Sequence, residues 1–388
     1  MLDARKHIPI VEKKIYFDNA GAGPLTVDVY ERVKWFLDLW RREGEPWGEV
    51  LEDIVNARRE FAELVKTRED YVAVVPGVTY GLNAVFASLK IKPRSNVVVS
   101  SFNFPTSFHT LHAMRRRGVI KEVRVVNEHN GSTRVEDYEK LVDDNTVAVV
   151  VDYVGWLSGY REDLRAVAEI ARSHGAILVS DAFHAVGVLG VDVEKLGVDV
   201  LLTGGYKWLM GLHGAGFVYV EKNLLQELEP MFAGWMAIED SVIERMLRGE
   251  KLFERPFDTN DYKKPSKASM LEWGTWAAIA VEGTLEAIRF IKKHRAVELY
   301  STHTRKLVEK LMDELEDTGY TLYTPRDSFA AIVSFKARDS YRIASLLGRE
   351  GIVVSARPGL VRVSPHFYSV VEEVEKFIEV VRRIHSIA

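Results

Sequence analysis

From about residue 70 to residue 220 the chain alternates between short β-branched runs and amphipathic stretches, and this alternation limits the available folds more than any other feature. Seven runs recur: YVAVV (71–75), NVVVS (96–100), EVRVV (122–126), TVAVVVDYV (146–154), AILVS (176–180), DVLLT (199–203) and GFVYV (216–220). Most are continuous apolar blocks, the pattern of a strand buried on both faces. Between several of them lie stretches such as LRAVAEIARSHG (164–175), apolar at three- and four-residue steps, which predict covering helices. The expected fold class is α/β, with a mostly parallel seven-stranded sheet in a large domain.

Beyond residue 220 the pattern changes. Residues 221–272 are irregular, and the stretch that follows is helical. Strand-like runs then appear at AAIVSFKA (330–337), GIVVSA (351–356) and LVRVS (360–364), before the amphipathic SVVEEVEKFIEVVRRIHSIA (369–388). This order predicts a small α+β C-terminal domain over 286–388, with 1–285 as the large domain and the N-terminal segment packing on the small one. A length of 388 residues also favours two units over one core.

Composition removes several classes. A hydrophobic share of 47% and a charged share of 28% describe a soluble globular protein, and a net charge of −4 gives no reason to expect nucleic acid. No stretch approaches the ~20 apolar residues of a membrane span, and MLDARKHIPIVEKK lacks a signal-peptide core, so no membrane partner and a cytoplasmic location are expected. With no cysteine, the chain has no disulfide, thiolate metal site or cysteine nucleophile, and no metal site is expected. One glutamine, Gln226, among abundant Glu, Lys and Arg suggests a thermophilic source.

Ligands of open parallel sheets bind beyond the carboxyl ends of the strands. Two chemically suggestive residues sit at such ends. Asp181 closes the strand of ILVSDAFHAVG (177–187), and Lys207 lies in the glycine-rich LLTGGYKWLMGLHGAGFVYV (201–220). An amine and an acid converging on one crevice are the pair pyridoxal phosphate needs. The amine forms a Schiff base with its aldehyde, and the acid keeps its ring nitrogen protonated. Without Lys207, Asp181 reads as a loop acid or helix cap, and His184 reads equally as a core histidine. In VPGVTYGLNAVFASL (75–89), a turn at Pro76-Gly77 starts a helix near Val78, whose first amides and dipole suit a phosphate.

These motifs, together with SSFNFPTSFHTL (100–111), EWGTW (272–276), SARPGLVRVSPHFY (355–368) and YFDNAGAGPL (16–25), resemble the class V aminotransferase family in order and spacing. The resemblance runs from about Tyr16 to the C-terminus. These are the fold-type I pyridoxal phosphate enzymes, which include cysteine desulfurases, kynureninase and isopenicillin N epimerase, and the resemblance implies the PLP-dependent transferase fold. It implies Lys207 and Asp181 as the catalytic pair, with His184 at the ring hydroxyl and Phe104 stacked on the ring. It further implies Val78, Thr79 and Tyr206 at the phosphate, joined across a homodimer interface by Gly274 and Thr275 of the other subunit. Thr275 also reads as the N-cap of the helix that follows. Arg362 occupies the position that binds the substrate carboxylate, Arg357 being the second choice. Asn19, Ala20, Gly21 and Trp156 are expected to line the substrate pocket, with the irregular 230–265 region.

Departures narrow the reading. Gly204 stands where desulfurases have a phosphate-binding serine, and VDYVGWLSG (151–159) offers Gly155 and Trp156 where an asparagine is common. The desulfurase loop bearing the catalytic cysteine is collapsed to Pro358-Gly359-Leu360-Val361. The expected activity is thus an aminotransferase or a C–S/β-lyase acting on an α-amino acid, not a persulfide-forming cysteine desulfurase. An epimerase or racemase is the alternative, and needs a second acid where Phe104 stands. A dinucleotide-binding oxidoreductase fares worse, because no strand is followed by G-x-G-x-x-G.

Overall fold

A computed structural model of the chain describes residues 2–237, 246–249 and 264–385. The first strand, β1 (Ile15–Tyr16), precedes two long helices, Val27–Glu43 and Trp47–Leu64. Seven strands then build the main sheet: β2 (Val72–Val75), β3 (Asn96–Ser100), β4 (Glu122–Val126), β5 (Thr146–Asp152), β6 (Ile177–Asp181), β7 (Val200–Gly204) and β8 (Gly216–Val220). Their order is β2-β8-β7-β6-β5-β3-β4. β8 runs antiparallel to both of its neighbours, and the other pairs are parallel. The fold is the expected α/β architecture with a mostly parallel sheet.

Successive strand residues face opposite sides, so continuous valine runs need cover on both. Val98, Val149 and Val151 join one buried cluster, while Val97, Val99 and Val150 join the other. Helix Val78–Ser88 lies tightly on the second face, because Gly81 has no side chain. A Cβ there would come within 2.6 Å of Val218 and 2.9 Å of Leu202. This close approach fixes where the helix N-terminus points.

The C-terminal part holds β9 (Val333–Lys336), β10 (Ile352–Val353), β11 (Ser355–Arg357) and β12 (Leu360–Val363), in the sheet order β11-β12-β9. The run GIVVSA, expected as one strand, divides at Val354. Its first half pairs in parallel with β1, and its second half turns back at Gly359 to pair with β12. Two competing partners on different sides explain the break. The N-terminal segment is thereby sewn to the C-terminal part, and Asp18 bridges to Ser364.

Glu272 ties the segment 272–276 to the core. It accepts two bonds from Arg58, at 2.9 and 2.5 Å, with further bonds from the Val74 N–H at 2.7 Å and Trp276 Nε1 at 2.9 Å. Its side chain is fully buried, and that of Arg58 is 12% exposed. Removing one partner of such a pair leaves a charge uncompensated. Glu272→Gln is expected to lower stability by about 3 kcal/mol, read as a lower urea midpoint with unchanged slope. A midpoint within error of the parent would contradict this anchoring role.

Candidate active site

Three strand ends converge on one crevice. β5 and β6 are paired in register so that Asp152 lies directly beside Asp181, each the last residue of its strand. Beyond β7 the chain turns through Gly205-Tyr206-Lys207, and the Met210 N–H closes the turn on the Lys207 carbonyl at 3.0 Å. Met210 sits at φ 60°, a left-handed conformation that bulky residues hold only when their surroundings impose it. Lys207 is thus presented by a constrained loop rather than a free surface turn, and is 8% exposed. A cavity of about 830 Å³ opens between these strand ends and the N-terminus of helix Val78–Ser88. Asp152, Asp181, His184, Tyr206 and Lys207 line it, as do Val78, Thr79 and Phe104.

The lysine Nζ lies 3.1 Å from His184 Nε2 and 4.1 Å from the centroid of the Phe183 ring, with the Phe104 ring at 5.6 Å. Burial disfavours its charged form and pulls its pKa from 10.5 to about 8, outweighing the opposing field of Asp181. Burial acts in the opposite direction on the acids. Asp181 is pushed up to about 6, although the Phe183 N–H donates to its Oδ1 at 2.9 Å. Asp152 is pushed well above the carboxylate range by burial and then by the charge of Asp181. Of the two neighbouring acids, Asp152 is thus the harder to ionise, since the charge of Asp181 adds to the effect of burial. His184 is held neutral by burial first and by Lys207 second.

Phe104 precedes helix Pro105–Arg116 and is 43% exposed at the cavity mouth, its ring edge-on to Trp156 at 5.4 Å. Its N–H donates to Asp152 Oδ2 at 2.8 Å. Thr79 is exposed at the helix start and shares a 2.7 Å bond with Thr106. Tyr206 stacks on His213 at 3.8 Å.

Arg362 is 2% exposed. It donates to the Trp156 carbonyl at 2.8 Å and to Ser355 Oγ at 3.2 Å, lies 3.6 Å from Asp18, and among the described residues leaves its Nε without a partner. Burial and then neighbouring Arg357 lower its pKa to about 10. Arg357 is half-buried, donates to the Ala356 carbonyl and lies 5.9 Å from the Trp156 ring. Asn19 is fully buried, with its amide spent on the Ser364 carbonyl and the Tyr368 hydroxyl. Ala20 donates to Ser364 Oγ, and Gly21 packs on the Asp18 carboxylate.

Gly274 and Thr275 are exposed and border a separate, smaller cavity with Val74, Pro76 and Tyr80. Thr275 is not a helix cap. The helix begins at Ala278, and its N-cap, Ala277, makes no side-chain bond. Of the 230–265 region, residues 238–245 and 250–263 lie outside the described residues.

Asp152 and Phe183 are among the cavity residues that escaped the sequence reading. Asp152 ends a valine run just as Asp181 ends its own, and that parallel was the available signal. Phe183 fills the place of a side chain at Gly204, since a Cβ there would meet its ring at 2.4 Å. The glycine is a packing requirement of that ring. Among the described residues, no cluster of His, Asp and Glu is arranged to hold a metal, and no helix is long and apolar enough to cross a membrane.

Comparison with known proteins gives this geometry a lineage. The family model for aminotransferase class-V matches residues 15–377. A Bacillus subtilis relative named uncharacterized aminotransferase YcbU is 27% identical over 376 residues, spanning 97% of this chain and 95% of its own length. A probable cysteine desulfurase of Pyrococcus abyssi is 25% identical over 98% of this chain and 97% of its own. The apo structure of a cysteine desulfurase from Thermococcus onnurineus superposes with a TM-score of 0.86, covering 100% of this chain and 98% of that one. At 23% identity this last likeness speaks for the fold. With the family model spanning nearly the whole chain and the strand-end acids and lysine in one cavity, the chain belongs to the class V aminotransferase family.

Proposed function

We propose that the chain is a pyridoxal phosphate enzyme acting on an α-amino acid, as an aminotransferase or a C–S/β-lyase. The observation that carries this is a buried lysine amine sharing one cavity with two strand-end acids and a helix N-terminus. The cavity fits the cofactor's chemistry. Asp152 Oδ1 on its wall is a buried polar atom without a partner among the described residues, as expected where a polar ligand completes a site. The amides of Val78 and Thr79, with the Thr79 and Tyr206 hydroxyls, would hold the phosphate. Asp181 would hold the ring nitrogen, His184 the ring hydroxyl and Phe104 the ring face. Bound there, pyridoxal phosphate supplies an aldehyde that condenses with amines and a ring that draws away the electron pair left at the α-carbon.

The protein's own groups do the rest. Arg362 offers a planar donor fork to the substrate carboxylate, and its unpartnered Nε marks unused capacity. Lys207 Nζ, with its pKa brought to about 8, takes the α-proton and returns it. Phe104 carries no proton, which favours transamination or elimination over epimerisation. Because the chain has no cysteine, sulfur removal by an enzyme persulfide is not part of this proposal, although relatives bear the name cysteine desulfurase. Gly274 and Thr275 are exposed and outside the Lys207 cavity, which supports a homodimer in which they serve the other subunit's phosphate.

The reaction is tested by incubating cofactor-loaded protein with a panel of amino acids. Pyruvate and ammonia formed without a keto-acid acceptor mean β-elimination, and strict dependence on an acceptor means transamination. Loss of optical activity with neither product would point instead to a racemase. Protein that stays colourless with pyridoxal phosphate, with no ~420 nm band, would end the proposal.

A further inference from the structure

We propose that Trp208 is a positioning residue: its indole N–H fixes the proton of His184 on Nε2, making that histidine a permanent donor into the Lys207 cavity and denying it the role of base. The argument is one of donors and acceptors. An indole N–H can only donate. Trp208 Nε1 lies 3.3 Å from His184 Nδ1, so Nδ1 must present its lone pair. A neutral imidazole has one proton, which is then on Nε2, the nitrogen 3.1 Å from Lys207 Nζ. The opposite tautomer would set two N–H groups against each other in a buried space. All three side chains are at least nine-tenths buried, so water cannot relieve that clash.

The indole is itself held in place. The Phe367 N–H donates to His366 Nδ1 at 2.9 Å, which puts the His366 proton on Nε2, and that nitrogen lies 2.9 Å from the Trp208 carbonyl. The two rings meet edge-on at 5.2 Å, and His366 is fully buried. A segment of the C-terminal part thus clamps Trp208, and Trp208 sets His184. A donor aimed at the Lys207 nitrogen favours its free amine, in the same direction as burial. The catalytic consequence, that Lys207 is the base, rests on the function proposed above, whereas the tautomer does not.

The test uses the full-length protein with and without pyridoxal phosphate, labelled with 15N at histidine and read by long-range proton–nitrogen correlation. His184 is identified by the signals lost in His184→Gln. A protonated Nε2 and bare Nδ1 are expected from about pH 6 to about pH 9. In Trp208→Phe, which keeps a ring but removes the donor, both tautomers should appear. Competitive acetylation of the cofactor-free variant should then find roughly five-fold less free Lys207 amine at neutral pH, the size of one net hydrogen bond. A bare Nε2 in the parent protein overturns the proposal, as does an unchanged tautomer and unchanged Lys207 reactivity in the variant. Should Trp208→Phe not fold, benzothienylalanine at position 208 keeps the bicycle and deletes only the N–H. Failure to bind pyridoxal phosphate would sink the proposed function and leave the tautomer measurement standing.

Discussion

Lys207→Ala is expected to cut turnover by roughly 10⁴-fold, the upper range of what one general base contributes, while the protein still takes up pyridoxal phosphate. Two roles disappear together, the amine that condenses with the cofactor and the base that moves the α-proton. Among the described residues, no neighbour is placed to inherit either. Phe104 and Phe183 carry no titratable group, His184 is neutral with its proton directed at the lysine nitrogen, and the nearest acids serve the ring side. A shift from 10.5 to about 8 gives roughly 300-fold more free amine at neutral pH than an ordinary lysine has. Lys207→Arg should therefore be about as damaging, since guanidinium remains charged. Single-turnover loss of the α-deuterium from a labelled amino acid is the measurement, and added methylamine should restore part of the rate to the alanine variant. Turnover within ten-fold of the parent would remove Lys207 from the centre of the mechanism.

How much of this could be read from the chain itself follows the range of the interactions. The seven strands of the main sheet declare themselves locally, because a valine run buried on both faces needs no partner to be recognised. The crevice follows from the same logic, since strand ends bearing Asp181 and Lys207 have few other places to meet. What was missed depends on register and on distant partners. Asp152 shares with Asp181 only the position at the end of an apolar run, and its place beside Asp181 comes from the β5–β6 register. The break in GIVVSA comes from β1, more than 300 residues upstream, competing for half of the run. Thr275 has the composition of a cap, yet Glu272 draws its segment to Arg58 and the helix starts two residues later than that reading requires. Gly204 read as a lost phosphate contact, and its reason is the Phe183 ring 21 residues away.

Asp181→Asn is expected to lower kcat/KM by roughly 10³-fold, about 4 kcal/mol of transition-state stabilisation. The amide keeps the shape and can still accept from the Phe183 N–H, but it carries no charge to hold a ring nitrogen protonated. The neighbouring acid makes this loss depend on pH. In the parent, burial and then the charge of Asp181 beside it both push Asp152 towards its protonated form. Removing the Asp181 charge removes the second cause, so the Asp152 pKa falls and its carboxylate becomes available at the same end of the cavity. Residual activity of Asp181→Asn should therefore rise with pH, as Asp152 ionises. Asp152→Asn has the opposite character. It leaves the Asp181 carboxylate in place, and its amide oxygen can still accept from the Phe104 N–H, so its cost should stay within about ten-fold. The double variant should be worse than the product of the two singles, because the acid that compensates in Asp181→Asn is then absent. Profiles of kcat/KM against pH for the parent and three variants decide the matter. An Asp152→Asn enzyme as impaired as Asp181→Asn at neutral pH would mean that the charge does not reside on Asp181.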